Sequence, residues 1–147
     1  MDVEQFVAFR LGNEEYAVSI SRVREIIRFK GATKMPNAPE YVEGIINLRG
    51  KIIPVVSLAA RLGLNMENVT GKWVIILETT GQEFAILVDV VTEVIKLDDT
   101  SIEAAPTMLA QNSYIRGLGK IDERLIILLE VSNMIDAKEM EELQKIV

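Results

Sequence analysis

The side chains suited to chemistry in this 147-residue chain are few, and their spacing does not favour catalysis. Carboxylates adjoin at Asp98 and Asp99 and cluster at Glu139, Glu141 and Glu142. Paired acids can serve acid–base work or hold a divalent cation, but neither set has the spacing of a calcium loop. Both read instead as a solvated turn and a helix face. There is no His and no Cys, which removes the usual general base, the thiolate nucleophile, disulfides and the ordinary zinc ligands. No nucleophile has a base beside it, so neither an enzyme nor a cofactor is expected. What remains is a guanidinium. Leu48-Arg49-Gly50-Lys51 has the composition of a tight turn, with Gly50 free to take φ > 0, which would hold Arg49 at a hairpin tip. Pro54 lacks an amide donor and belongs at a sheet edge or a bulge. A guanidinium there can grip a carboxylate bidentately, either a partner's or one of the chain's own.

The elements that must position this turn come from one domain, residues 1–147, because the length allows a substantial core but not two large domains. Sixteen Lys and Arg face 22 Asp and Glu, a net charge of −6, and only 5% of residues are aromatic. A nucleic-acid partner, which selects clustered cations and exposed aromatics, is not expected. Nor is a phosphate-binding loop, since no glycine-rich stretch precedes a Lys and a helix start. The apolar runs Trp73 to Leu77, Phe84 to Val88 and Leu125 to Leu129 are five residues each, against about 20 needed to span a bilayer. The N-terminal residues carry no export signal, and a cytoplasmic location without membrane insertion is expected.

Periodicity is that of strands. Tyr16, Val18 and Ile20 alternate with Ala17 and Ser19, and Leu11 to Glu14 supply a turn, so a hairpin runs from Phe6–Phe9 into Glu15–Ile20. The halves also repeat. Glu15 to Arg28 aligns with Glu83 to Lys96 at an offset of 68 with five identities, and Tyr41-Val42-Glu43-Gly44-Ile45 aligns with Tyr114-Ile115-Arg116-Gly117-Leu118 at an offset of 73. Each half is too small to bury much surface alone and supplies about five strands. The economical solution is a mostly β fold of two small barrels from an internal duplication, sharing a core with a groove between them. The lobes are expected at 15–70 and 73–131, with residues 3–11 able to exchange between them. Alternation fails at Ser21-Arg22 and at Asp89-Val90, where a turn or kink is expected. Ser57 caps a short helix stopped by Gly63, and a C-terminal helix covers 132–147, with a capping-box pattern in Asp136-Ala137-Lys138-Glu139. Its Met140 and Leu143 form a stripe suited to the core or to a partner.

A duplicated fold keeps what packing requires, so differences between halves are informative. Arg49 becomes Asp122, and Pro54 becomes Ile127.

Residues Val42 to Leu58, with Val23-Arg24-Glu25-Ile26, Phe84 to Val91 and Tyr114 to Gly119, resemble the CheW-like adaptors of chemotaxis over nearly the whole chain. A module without an attached receiver or kinase catalytic domain is expected. The resemblance implies two five-stranded SH3-like barrels that couple the helical tips of chemoreceptors to the regulatory domain of the histidine kinase CheA. It also implies the same role in related pathways controlling pili or gene expression as an alternative. Carried onto matching positions, the receptor groove would use Val23, Glu25, Ile27, Gly44, Asn47, Arg49, Val91 and Val94. An apolar trough with rim charges suits an amphipathic helix. The aliphatic members also fit plain core, and Gly44 fits a purely geometric role. A second surface, toward CheA or another CheW in rings, would use Glu103, Thr107 and Met108, on a loop five residues longer than its first-half counterpart. Glu103 and Met108 stand where some members carry Arg and Phe, and Ser57 stands where Asp is common.

Overall fold

The computed structural model describes residues 2–63, 70–106 and 113–146. The protein is mostly β. In chain order the strands are β1 (Val3–Leu11), β2 (Glu14–Ser19), β3 (Val23–Arg28), β4 (Val42–Leu48), β5 (Lys51–Ser57), β6 (Trp73–Thr79), β7 (Gln82–Val88), β8 (Val90–Asp98), β9 (Ile102–Glu103), β10 (Ile115–Ile121) and β11 (Arg124–Leu129). The described helices are α1 (Leu58–Leu62), α2 (Val131–Met134) and α3 (Ala137–Ile146). None of them is long and apolar enough to cross a membrane.

Two sheets carry the fold, one ordered β8-β1-β2-β11-β10-β9 and the other β3-β6-β7-β5-β4. They form the two SH3-like lobes, but the sheets do not divide the chain at residue 70. Hairpin β1–β2, from the first half, sits among β8 to β11, and hairpin β6–β7, from the second, sits among β3 to β5. The exchange is therefore reciprocal, and the lobe limits 15–70 and 73–131 are corrected accordingly. The chain changes sheets at the two places where alternation fails. A 3-10 turn at Ile20–Arg22 carries β2 into β3, and a bend at Asp89 carries β7 into β8. Asp89 fixes its crossing by accepting from the amides of Gly12 at 2.6 Å, Thr70 at 2.6 Å and Gly71 at 2.7 Å.

Exchange explains the unbroken apolar runs, because the central hairpins are covered on both faces. From β1, Phe6 and Ala8 enter the interior of one lobe with Ile95, Leu97 and Ile126. Their neighbours Val7 and Phe9 enter a middle core shared by both sheets. From β6, Val74 and Ile76 enter the other lobe's interior, while Ile75 and Leu77 join the shared core. Alternation thus sorts residues between two buried layers rather than between core and water.

The duplication is visible in the backbone. Parallel pairs join Val55 to Ala85 and Leu128 to Ala17, and register shifts fall between Val42 and Gly44 and between Ile115 and Gly117. Strand β9, which gives the first sheet its sixth member, is matched in the other lobe by a single bridge from Thr33 to Ile45. Helix α2 follows β11 as α1 follows β5.

Caps form as the sequence leads one to expect. Ser57 Oγ accepts from the Ala60 amide at 3.2 Å, and Gly63 closes α1 with φ 72°. The C-terminal helix is shorter than 132–147. It is broken at Ile135-Asp136, where a reciprocal capping box restarts it: the Glu139 amide donates to Asp136 at 2.7 Å and the Asp136 amide to Glu139 at 3.1 Å. Met140 and Leu143 are buried in the shared core.

Two ion pairs fasten the first hairpin. Arg116 grips Glu4 at 2.8 and 2.6 Å, and Arg124 grips Glu15 at 3.2 and 2.8 Å. Hydrogen bonds from these guanidinium groups hold both carboxyls below the ordinary glutamate value of about 4.5. A depressed folded-state pKa contributes stability that is complete above the unfolded value and lost as pH falls through the folded one. Thermal midpoints are therefore expected to fall as pH drops below about 4.5. Glu15→Gln should flatten that slope, and an unchanged slope would show the pair to be thermodynamically silent.

Candidate functional site

The expected hairpin forms between β4 and β5. Arg49 and Gly50 take φ 53° and 86°, the left-handed pair that fits a two-residue turn to twisted strands. Its counterpart Asp122 takes φ 54°. The Gly50 amide donates to Asn47 Oδ1 at 2.8 Å, so Asn47 braces the turn that presents Arg49. Arg49 is 71% exposed at its side chain and grips Glu25 of β3 through two hydrogen bonds, at 3.0 and 2.5 Å. Of the two partners open to this guanidinium, the chain's own carboxylate is the one seen. The Arg49 guanidinium holds the Glu25 carboxyl below its usual range.

In the other half Asp122 has no cation to offer. There Glu93, equivalent to Glu25, pairs instead with Arg124 at 2.7 Å. Arg124 also holds Glu15, just as Lys51 holds Glu83 in the first half. The second half thus joins both acids to one arginine, whereas the first uses two cations and leaves Arg49 projecting.

The other groove candidates fall into three places. Val23 on β3 and Val91 on β8 are half-buried and pack on the shared core from opposite sheets. Ile27 packs on the interior of the β3 lobe, and both Ile27 and Asn47 line a cavity of about 870 Å³ at that lobe's mouth. This cavity lies within one sheet rather than between the two, so it is not the interlobe groove the eight positions were expected to share. Gly44 is buried, with φ 150°, and a Cβ there would lie 2.4 Å from the Thr33 carbonyl oxygen. Its geometry alone demands glycine. Val94, on β8 opposite Val7, is 53% exposed.

On the second surface, Glu103 is exposed and pairs with Lys120 at 2.9 Å. Its carbonyl oxygen stands 2.7 Å from where a Cβ at Gly117 would be, the counterpart of the Thr33 approach at Gly44. Thr107 and Met108 lie outside the described residues.

Sequence reasoning overlooked Arg61. Its side chain is only 12% exposed and lies between Tyr41 and Tyr114, 4.3 and 5.0 Å from the ring centroids. Nε donates to the Met134 carbonyl at 3.0 Å, and a terminal nitrogen donates to Glu139. Burial, with Glu139 close by, pushes the Tyr41 phenol up to about 12. The clue was available, since the two tyrosines correspond at the 73-residue offset, and at that offset Arg61 faces Met134.

A model of the CheW-like domain matches residues 5–139. The chain belongs to the CheW-like family. It is 37% identical over 140 residues to the chemotaxis protein CheW of Rhizobium meliloti, covering 93% of this chain and 90% of that one. It is 34% identical over 137 residues to CheW of Helicobacter pylori, covering 91% and 82%. Among solved structures it is similar to the scaffolding protein TtCheW of Thermoanaerobacter tengcongensis, with a TM-score of 0.85 and 36% identity over 94% of this chain and 96% of that one. The CheW family is one of chemotaxis scaffolds, and the crossed pair of β lobes described above is the framework this chain brings to that role.

Proposed function

We propose that the chain is a non-enzymatic cytoplasmic adaptor that couples the tips of chemoreceptors to the regulatory domain of CheA, at receptor clusters on the inner membrane. The observation that carries this reading is the projecting Arg49 at the β4–β5 turn, whose counterpart turn carries Asp122 instead, beside half-buried aliphatic side chains. An exposed ion pair such as Arg49–Glu25 adds little to stability, because solvent screens it. A carboxylate on an incoming helix can therefore share or replace Glu25 at little cost, while Val23, Ile27 and Val91 offer apolar contact. Gly44 and Asn47 hold the hairpin in place, and Val94 extends the apolar surface from the other sheet. The second surface, with Glu103, Thr107 and Met108, would meet CheA or a further CheW in a ring.

The test is capture of a purified receptor-tip fragment. Arg49→Asp reverses the charge at the turn and should weaken capture by about tenfold or more, the scale of one lost charge-assisted contact. The φ 53° conformation suits Asp, as Asp122 shows in the other half, so folding should survive. Undiminished capture by a folded variant would remove Arg49 from the receptor surface.

A further inference from the structure

The cavity at the mouth of the β3–β6–β7–β5–β4 lobe shares Ile27 with the proposed receptor surface and has further features that helix docking does not use. Its floor is apolar, built from Ile27, Phe29, Ile46 and Val74, with Trp73 at one side. Its rim carries Arg28 and Lys30, and no Asp or Glu is among the lining residues. Lys34 follows directly on the lining residue Thr33, and the Lys72 carbonyl accepts from the Phe29 amide at 2.9 Å, so two more exposed lysines flank the opening. In a chain of net charge −6 this is a local reversal of sign. Arg24, Arg49 and Lys51 nearby are spent on Glu78, Glu25 and Glu83. Among the described residues, these four cations have no such carboxylate partner, and Arg28 rests over the Trp73 ring at 5.4 Å.

We propose that this cavity binds a small anionic amphiphile, an apolar body with a carboxylate or phosphate head, taken up as a free molecule. The body would lie on the floor, and the head would meet Arg28 and Lys30. At about 870 Å³ the cavity is in the range of small-molecule sites, which favour barrel mouths and pair apolar walls with a few polar groups. The hollow lies beside β3 and β4, and the bridge from Thr33 to Ile45 forms part of its lining. Charge selects the head, since the exposed Arg28 and Lys30 attract an anion and repel a cation.

The chain's single tryptophan, Trp73, lines the site and reports on it. Decanoate titrated below its micelle concentration should change Trp73 fluorescence saturably. Arg28→Glu with Lys30→Glu should weaken the response by about tenfold or more. Ala32→Phe, which fills the hollow from one wall, should abolish it while the thermal midpoint shows the fold intact. Decyltrimethylammonium should give no saturable response. Absence of saturation with decanoate, or equal affinity for the cationic probe, would overturn the proposal. So would a response to phosphatidylglycerol vesicles with none to decanoate, which would make the patch a membrane contact instead.

Discussion

Arg61→Ala is expected to destabilise the protein by about 3 kcal/mol, the scale of breaking a mostly buried charge pair. For a domain of this size the thermal midpoint should fall by about 10 °C. The side chain joins five segments at once: α1, which carries it; Tyr41 ahead of β4; Tyr114 ahead of β10; Met134 at the end of α2; and Glu139 in the first turn of α3. Removing it leaves Glu139, 21% exposed, without its cation and leaves a gap between two rings. The loss combines charge and packing, so Arg61→Lys should recover only part of it, because an ammonium cannot stack flat between tyrosines or reach Met134 and Glu139 together. Urea denaturation of both variants checks this. A loss below about 1 kcal/mol for Arg61→Ala would mean that the guanidinium is effectively a surface group.

Gly44→Val should cost about 3–5 kcal/mol, combining a backbone conformation that L side chains avoid with overpacking. Its Cβ would fall 2.4 Å from the Thr33 oxygen and 3.1 Å from the Ala32 Cβ, atoms of a segment that bridges to β4. Gly50→Ala provides the contrast. It also has positive φ, at 86°, but nothing lies within 4 Å of its Cβ, so only the conformational cost of about 1 kcal/mol applies. Equal losses in the two variants, measured by denaturant unfolding, would show that the close approach at Gly44 is not constraining. The comparison also bears on function. Any effect of Gly44 substitutions on receptor capture must be read after correcting for unfolded protein, which is not so for Arg49→Asp.

Much of this architecture was written in the order of residues. The tight turn at Arg49-Gly50, the Ser57 cap and the Asp136–Glu139 box are local features that local hydrogen bonding decides, and the breaks at Ser21-Arg22 and Asp89 show locally as lost alternation, although Asp89 is held by the distant Gly12, Thr70 and Gly71 amides. The reciprocal exchange was not legible, because alternation tells which way a side chain points and not which sheet receives its strand. Trp73 to Leu77 reads as a strand buried on at least one face whichever lobe it joins. The guanidinium cage around Arg61 likewise depends on tertiary approach, bringing Tyr41 and Tyr114 to one cation from positions 73 residues apart. Arg49 was placed correctly at a hairpin tip, but its neighbour Glu25, 24 residues earlier, comes into reach only when β3 and the turn are folded together. The spread of the eight groove positions has the same origin: matching positions to a family pattern does not fix distances between β3 and β8, which lie in separate sheets.

The proposed adaptor role requires one protein to hold two others on separate faces. The most direct measurement mixes the purified chain with a receptor-tip fragment and the CheA regulatory domain, and weighs the products by light scattering after size exclusion. The prediction is a single species containing all three, in which Arg49→Asp releases the receptor fragment and leaves the kinase domain bound. Displacement of one partner by the other, giving only binary complexes at every ratio, would contradict it.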